Sequence, residues 1–240
     1  MKKYLNKNIN TGNISVADTS HMYYEFFVRF DYDWWRPIRE GDVVVDIGSC
    51  IGFFTCHAID MGASKIYSVE PNKENLKTLM YNVSDYIIDT KDTEKVIPIH
   101  AAIGLSEASS NHVFGGKGRD PIYHTRTANS SDEYTRKSFK QFIKENSIDY
   151  IDFLKIDCEG GEYEIFTEEN INFLKNNVSH MAVEFHMDMT PGDNNHTNWK
   201  YVRDKLLPRF NQVRWMSDED QFDAYNDSKA TGGFMVYITN

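Results

Sequence analysis

The sequence contains few cysteines and no long apolar run. Its three cysteines, Cys50, Cys56 and Cys158, form no C-x-x-C pair, and their odd number argues against a disulfide framework. We therefore predict reduced, half-buried thiols rather than reactive or metal-binding ones. Because a membrane-spanning helix needs about 18 consecutive apolar residues and no such run occurs, we predict no membrane insertion. No apolar stretch follows the basic start of the chain, so we predict no export signal and expect a cytoplasmic protein.

Positive charge is also scarce. The chain carries 26 Lys and Arg against 36 Asp and Glu, which gives a formal net charge of −10. Because a negative field repels phosphate, no DNA partner is expected and an RNA partner is disfavoured. A neutral or cationic small-molecule or glycan substrate is easier to accommodate.

The order of apolar and amphipathic stretches predicts the fold class. From Asp42 onward, short apolar runs alternate with helical patterns, which is typical of a parallel sheet covered by helices. Seven strands are expected, and no helix separates the last two. The prediction is therefore a doubly wound α/β fold whose seven-stranded, mostly parallel sheet has an antiparallel edge strand. The strands are predicted at 43–47, 65–69, 96–100, 151–156, 181–185, 213–215 and 234–238.

The 240 residues suffice for one such domain, which we place at residues 41–240. Residues 1–40 are predicted to form an N-terminal arm and a covering aromatic helix. We expect the aromatic stretch at 22–30 to pack on the sheet, and the alternative is a lid over a substrate. Residues 104–131 are the least regular part and are predicted to hold a hairpin or a surface insertion.

A D-x-G-x-x-x-G loop follows the first predicted strand, from Asp46 to Gly52. Gly48 has no side chain, so the backbone can turn sharply there and a ligand can approach closely. Dinucleotide sites use G-x-G-x-x-G, where backbone N–H groups meet a pyrophosphate, and that spacing is absent here. The negative charge of Asp46 would repel a pyrophosphate but suits a ligand with an ammonium group. We therefore predict that this loop binds the methionine end of S-adenosylmethionine.

The second predicted strand ends at Glu70, which Pro71 follows. A carboxylate at this place can accept both ribose hydroxyls of an adenosine, and the alternative is a charge that complements the dipole of the next helix. After the third strand, the small residues Ala101 and Ala102 leave room for a flat adenine, whereas His100 is expected to be a core histidine. The predicted cofactor-binding residues are Asp46, Gly48, Ser49, Ile51, Gly52, Phe53, Glu70, Pro71, Ala101, Ala102 and Asp157.

Four segments resemble the FkbM family of methyltransferases, and together they span most of the predicted domain. They are V-D-I-G-S-C-I-G-F-F-T at 45–55, V-E-P-N at 69–72, L-K-I-D-C-E-G-G-E at 154–162 and V-E-F-H at 183–186. The K-I-D-x-E-G-x-E block is the specific one, since many methyltransferases share the first two segments. The resemblance implies a Rossmann-like class I methyltransferase fold, S-adenosylmethionine as methyl donor, and often a sugar or polyketide hydroxyl as acceptor.

Two parts of the chain depart from the family. Ser49-Cys50 stand where members commonly carry Ala-Asn, and residues 115–130 resemble no family segment, so substrate choice could reside there. Within that stretch, the basic glycine-rich loop at 115–120 is expected to be a hairpin turn, with phosphate contact as the alternative.

Acidic residues and a histidine follow the fourth and fifth predicted strands. Residues i and i+2 of a strand share a face, so Asp157 and Glu159, if the strand stays extended, and Glu184 and His186 should surround one cleft. We predict His186 as the catalytic base, because its ordinary pKa lies near neutrality, with Glu159 or Glu184 orienting it or taking the proton instead.

Two other interpretations of this group stay open. The side chains could be hydrogen-bonded polar groups that close the strand ends. Alternatively, a divalent cation could be held by Asp157, Glu159 and His186, although a site without metal is preferred.

The predicted activity is O-methylation of a hydroxyl on a sugar, glycan or polyketide-like acceptor. N-methylation and RNA 2′-O-methylation are alternatives, and the acidic charge counts against RNA. The missing G-x-G-x-x-G disfavours a nicotinamide-dependent oxidoreductase. A non-catalytic binding subunit with the methyltransferase fold is the remaining alternative.

Overall fold

The computed structural model describes residues 9–103, 112–114, 125–127, 135–187, 195–215 and 233–240. Its strands are β1 Val43–Ile47, β2 Lys65–Val69, β3 Val96–Ile99, β4 Ala101–Ile103, β5 His112–Phe114, β6 Thr125–Thr127, β7 Thr135–Lys137, β8 Ile151–Ile156, β9 Val178–His186, β10 Gln212–Trp215 and β11 Gly233–Thr239. Seven of them form one sheet in the order β10-β11-β9-β8-β1-β2-β3. This sheet confirms the predicted doubly wound α/β fold.

The antiparallel pairings lie at one end of the sheet. Strands β3, β2, β1, β8 and β9 are parallel neighbours, whereas β11 runs antiparallel to β9 and to β10. The reversed strand β11 therefore lies one position inside the edge, and β10 forms the edge itself. Residues 216–232, which connect β10 to β11, lie outside the described residues.

Helices cover both faces of the sheet. They are α1 Val16–Tyr24, α2 Phe53–Asp60, α3 Lys73–Thr90, α4 Phe139–Glu145, α5 Glu162–Ile165, α6 Ile171–Asn177 and α7 Asn195–Tyr201. A π-helical turn, Glu25–Arg29, and a 3-10 turn, Asp31–Asp33, extend α1, and the turns Val202–Leu206 and Leu207–Arg209 extend α7. Within the described chain, no helix has the length and apolar character needed to cross a membrane.

Strand β1 is central and is apolar because both of its faces are buried. Val45 and Ile47 belong to one hydrophobic core, and Val44 belongs to the other, as the alternation of side chains along a strand requires. Phe26 and Phe27, from the predicted covering segment, are buried in the same core as Val44. The segment that joins α1 to β1 therefore packs over one face of the sheet.

The irregular region after β3 contains short strands. Strand β3 ends one residue earlier than predicted, and β4 pairs with β7 in a separate two-stranded sheet. Strands β5 and β6 pair antiparallel, as the predicted hairpin requires. The basic loop at 115–120, and the stretch 115–130 apart from β6, lie outside the described residues. Cys50, Cys56 and Cys158 are thiols, the first half-buried and the other two buried.

Candidate active site

A cavity of about 210 Å³ opens at the carboxyl ends of β1, β2, β8 and β9. The strand order reverses between β1 and β8, and ligands of open α/β sheets bind at such a point. Nine of the predicted site residues line this cavity: Gly48, Glu70, Pro71, Ala101, Ala102, Asp157, Glu159, Glu184 and His186. The remaining five predicted residues, Asp46, Ser49, Ile51, Gly52 and Phe53, do not line it.

Gly48 brings the loop after β1 against the end of β8. Its φ is +79°, and a Cβ at this position would lie 1.7 Å from the carbonyl oxygen of Asp157. The backbone N–H groups of Gly48 and Ser49 both donate to the carbonyl oxygen of Val69, each at 3.0 Å. Glycine is therefore required here because two chain segments lie too close together for a side chain, whether or not a ligand also approaches the loop.

Most side chains of the loop beyond Gly48 are buried, although Cys50 lines the cavity. Ile51 and Phe53 are buried in the core that also contains Val44. Ser49 is buried too, and together with Phe53 it lines a smaller adjoining cavity of about 50 Å³. Gly52 has a φ of +90°, and a Cβ there would lie 2.8 Å from the Cγ atom of Leu79 on α3.

Glu70 holds the loop and borders the cavity. One carboxylate oxygen accepts from the backbone N–H of Cys50 at 2.9 Å, and the other accepts from that of Asn72 at 2.8 Å. Burial raises the pKa of Glu70 to about 7, although these two hydrogen bonds lower it. The side-chain amide of Asn75 also donates to the second oxygen at 3.5 Å, whereas the oxygen that accepts from Cys50 keeps a lone pair for a hydrogen bond from a ligand.

Asp46 has a different position from the one we expected. Its carboxylate is fully buried, accepts from the hydroxyl of Thr55 at 2.8 Å, and lies 3.4 Å from the ammonium group of Lys155. The carboxylate of Asp157, on the other side of Lys155 at 3.4 Å, lines the cavity instead. In this structure Asp157, and not Asp46, borders the cavity.

Lys155 is a buried cation that the sequence interpretation did not place in the site. Its side chain is almost fully buried, and its ammonium group donates to the carbonyl oxygen of Gly48 at 2.6 Å. Burial alone would lower the pKa of Lys155, but the charges of Asp157 and Asp46 outweigh that effect and raise it. Lys155 is therefore charged, and it ties the glycine loop to two carboxylates.

Four carboxylates surround the imidazole of His186. Its Nε2 atom lies 3.9 Å from Asp157, 3.5 Å from Glu159 and 3.8 Å from Glu184. Its Nδ1 atom lies 3.0 Å from the fully buried carboxylate of Glu162. The predicted grouping of acidic residues with His186 is thus present in the structure.

The grouping arises by a different route from the one predicted. Strand β8 ends at Ile156, and Glu159 has a left-handed φ of +55°, so the strand does not stay extended through Glu159. The expectation that Asp157 and Glu159 share a strand face was therefore wrong. A turn brings them together instead, and Glu162 stabilises it by accepting the backbone N–H groups of Cys158 and Gly160 at 2.9 and 3.0 Å.

The charge of His186 does not suit the role of base in this arrangement. Burial alone would lower its pKa, but the charges of Glu162 and Glu159 outweigh this and raise its pKa well above the ordinary value. The surrounding carboxylates therefore favour the charged form of His186, which cannot accept a further proton. Burial and the charge of Asp157 raise the pKa of Glu184 to about 7, which favours Glu184, the alternative proton acceptor that the sequence analysis named.

Tyr32 and Glu25 approach the cluster from the segment before β1. The hydroxyl of Tyr32 lies 3.0 Å from an oxygen of Asp157 and 3.0 Å from an oxygen of Glu184. A hydroxyl carries one proton, so both contacts are hydrogen bonds when Glu184 is protonated and donates to Tyr32. Glu25 lines the cavity, and burial, followed by the charge of Glu184, raises its pKa to about 8.

Sequence reasoning missed Lys155, Glu162, Tyr32 and Glu25. A signal existed for Lys155, because it is a charged residue between the apolar residues Leu154 and Ile156 of a buried strand, and for Glu162, because it closes the family-specific block. Tyr32 and Glu25 lie outside every segment that resembles the family, and nothing local marks them.

Comparisons with known proteins place the chain among methyltransferases. A family model described as the methyltransferase FkbM domain matches residues 46–214. No curated protein sequence gives a significant match. Fibrillarin from Aeropyrum pernix, solved with natively bound S-adenosylmethionine, is 15% identical over 85% of this chain and 68% of its own, with a TM-score of 0.45. An O-methyltransferase from Bacillus cereus in complex with SAH is 12% identical over 99% of this chain and 87% of its own, with a TM-score of 0.45.

Proposed function

The chain belongs to the FkbM family of methyltransferases, and from that premise we propose that it methylates a hydroxyl of a sugar, glycan or polyketide-like acceptor with S-adenosylmethionine. One observation carries the proposal. A single cavity joins the Gly48 turn and Glu70, at the ends of β1 and β2, to the cluster of Asp157, Glu184 and His186 at the ends of β8 and β9.

The lining of the cavity supports S-adenosylmethionine as its ligand. Bound S-adenosylmethionine supplies a methyl group on a positively charged sulfur, which is ready for displacement. Glu70 would accept the ribose hydroxyls, and Ala101 and Ala102 would leave space for the adenine. Asp157, backed by Lys155, would face the ammonium group of the methionine part, and Asp46 would act through Lys155. An acidic lining of this kind favours a cationic nucleoside over a pyrophosphate.

The acceptor would lie beside Glu184. This carboxylate lines the cavity, and Tyr32 and His186 hold it from two sides. As the acceptor oxygen forms its bond to the methyl carbon, the S–C bond breaks and its electron pair stays on sulfur. The hydroxyl proton then passes to Glu184, a transfer worth about 10²–10⁴-fold in rate. Glu159 and His186 would position the acceptor and balance the charge.

The competing acceptors fit less well. A polynucleotide would bring phosphates toward a cavity bordered by Glu70, Asp157, Glu159 and Glu184. This acidic border supports a neutral acceptor over RNA. A non-catalytic binding subunit would have no need for a carboxylate beside the acceptor.

The test compares cofactor binding with turnover in Glu184→Gln. We expect calorimetry to give the same S-adenosylhomocysteine affinity as for the wild-type protein, because Glu184 belongs to the acceptor side. Transfer of labelled methyl to a panel of glycans and small hydroxyl compounds should fall about 10²–10⁴-fold. Glu74→Gln is the matched control, since this exposed carboxylate lies on α3 away from the cavity. Wild-type protein that does not bind S-adenosylhomocysteine would refute the proposal, and binding without transfer to any acceptor would favour the non-catalytic alternative.

A further inference from the structure

Three donor atoms converge in the acidic cluster. One ligand atom each from Asp157, Glu159 and His186 lies within 4.8 Å of the other two. Donors that share one cation lie about 2.0–2.3 Å from it, so they can be at most about 4.6 Å apart. The Nε2 atom of His186 meets this limit, at 3.9 Å from Asp157 and 3.5 Å from Glu159. Only small side-chain adjustments are needed to bring all three onto a common ion.

Glu162 provides an independent observation. It is fully buried, and one of its oxygens lies 3.0 Å from the Nδ1 atom of His186, so the Nε2 atom of the same ring faces Asp157 and Glu159. A carboxylate on the far nitrogen of a histidine is the usual support of a metal-binding imidazole. The same carboxylate accepts the N–H groups of the turn that carries Glu159. One buried group thus positions two of the three donors.

The charges also favour a cation. Asp157, Glu159, Glu162 and Glu184 each have an oxygen within 4.0 Å of the imidazole of His186. Lys155 contacts Asp157, but it also contacts Asp46, two backbone carbonyls and the ring of Tyr32. A divalent ion between the donors would offset the mutual repulsion of these carboxylates.

We propose that Asp157, Glu159 and His186 bind one divalent cation. Two carboxylates and one imidazole suit Mn²⁺, which accepts oxygen and nitrogen ligands in a six-coordinate site. Three protein donors leave positions for water or an acceptor oxygen. Cation binding releases the proton of the imidazole, because a ligand nitrogen must be unprotonated.

The consequence for catalysis rests on the function proposed above, whereas cation binding itself does not. The ion would lie at the acceptor end of the cavity, beside Glu184, and would make a hydroxyl there easier to deprotonate. It would also favour acceptors with two neighbouring oxygens, such as a sugar diol, over isolated alcohols.

The test uses Mn²⁺ itself, titrated into the full chain and followed by the loss of its solution electron paramagnetic resonance signal. We expect one bound Mn²⁺ per wild-type chain. Glu159→Gln, a replacement of the same shape, should weaken Mn²⁺ binding at least about tenfold. Glu74→Gln removes an exposed carboxylate of α3 that does not line the cavity, and it should stay within about twofold of the wild-type affinity. Absence of saturable binding to the wild-type chain, or equal loss in the two variants, would overturn the site.

Two further measurements separate the possible failures. Mn²⁺ should raise the melting temperature of the wild-type protein, a readout that needs no variant to fold. Calorimetry with S-adenosylhomocysteine is run on the same sample. Cofactor binding without Mn²⁺ binding would overturn the cation site and leave the proposed function standing. Mn²⁺ binding without cofactor binding would support the cation site and overturn the proposed function.

Discussion

The ammonium group of Lys155 donates to the carbonyl oxygen of Gly48 at 2.6 Å, in the interior of the protein. The same group lies 3.4 Å from both Asp46 and Asp157. One cation from β8 thus holds the loop after β1 in place and compensates two carboxylates at the switch point of the sheet.

Replacing Lys155 with methionine should therefore lower the free energy of unfolding. The variant keeps the length of the side chain but leaves the buried carboxylate of Asp46 without its cation, which costs about 3–5 kcal/mol. Denaturant unfolding measures the loss. Lys140→Met is the control, because Lys140 pairs with Glu169 on the exposed surface and should contribute at most about 1 kcal/mol. Equal stabilities of the two variants would contradict the role given to Lys155.

Gly48→Ala tests the contact between the loop and β8. The added Cβ would lie 1.7 Å from the carbonyl oxygen of Asp157, so the loop has to move. Gly41 has a similar φ of +91° with no atom within 4 Å of an added Cβ, and Gly41→Ala carries only the strain of the left-handed backbone. That strain is about 1–2 kcal/mol, and Gly48→Ala should lose clearly more unfolding free energy, together with cofactor affinity. Similar losses in the two variants would show that the contact with Asp157 is unimportant.

The raised pKa of Glu70 predicts a pH dependence of cofactor binding. Burial raises this pKa to about 7, so the carboxylate becomes protonated as the pH falls below that value and loses an acceptor for a ribose hydroxyl. The affinity for S-adenosylhomocysteine should fall by up to about tenfold per pH unit below pH 7. Calorimetry between pH 8 and pH 5.5 measures this change in affinity. Glu70→Gln should bind more weakly at pH 8 and should lack this dependence, and a slope unchanged by the variant would rule Glu70 out.

The sequence predicts the sheet and much of the cavity because both depend on local patterns. A buried parallel strand requires an apolar run, and the residues just after β1 and β2 must lie at the same edge of the sheet, which places Gly48 and Glu70 correctly. The turn after β8 was missed because it is stabilised by hydrogen bonds that its backbone N–H groups donate to Glu162, which lies further along the chain. Tyr32 reaches the cluster only through packing of the chain before β1, and no spacing in the sequence encodes that contact.

His180 should make stability depend on pH. It is fully buried against Phe153 and Trp35, and neither ring nitrogen has a hydrogen-bond partner among the described residues. Burial, followed by the charge of Arg36, lowers its pKa from 6.5 to about 3. Above pH 6.5 the imidazole is neutral in both the folded and the unfolded chain. Below that pH, His180 binds a proton in the unfolded chain but not in the folded chain, so stability is lost as the pH falls.

His180→Leu removes this proton linkage and nearly conserves volume. Between pH 6.5 and pH 5, the wild-type protein should lose about 2 kcal/mol of unfolding free energy more than the variant does. Denaturant unfolding of both proteins at the two pH values gives the change in unfolding free energy of each. The contributions of the other titrating groups cancel when the two changes are subtracted. An identical pH dependence of the unfolding free energy in the two proteins would mean that protonated His180 has a hydrogen-bond acceptor in the folded protein.

Tyr32→Phe separates the hydroxyl of Tyr32 from its ring. The ring stacks on Phe26 at 4.9 Å and packs against Phe54 at 5.7 Å, so phenylalanine should keep these contacts and lose about 1–2 kcal/mol of stability at most. Without the hydroxyl, Asp157 and Glu184 lose the group that contacts both of them, and the position of the proposed base is no longer fixed. We expect kcat to fall about 10–100-fold while the affinity for S-adenosylhomocysteine changes less than about threefold. Methyl transfer and calorimetry on the same preparation measure the two quantities, and Tyr81→Phe, an exposed tyrosine of α3, is the control. A loss of cofactor affinity as large as the loss of kcat would show that Tyr32 supports the fold of the cavity and not the geometry of Glu184.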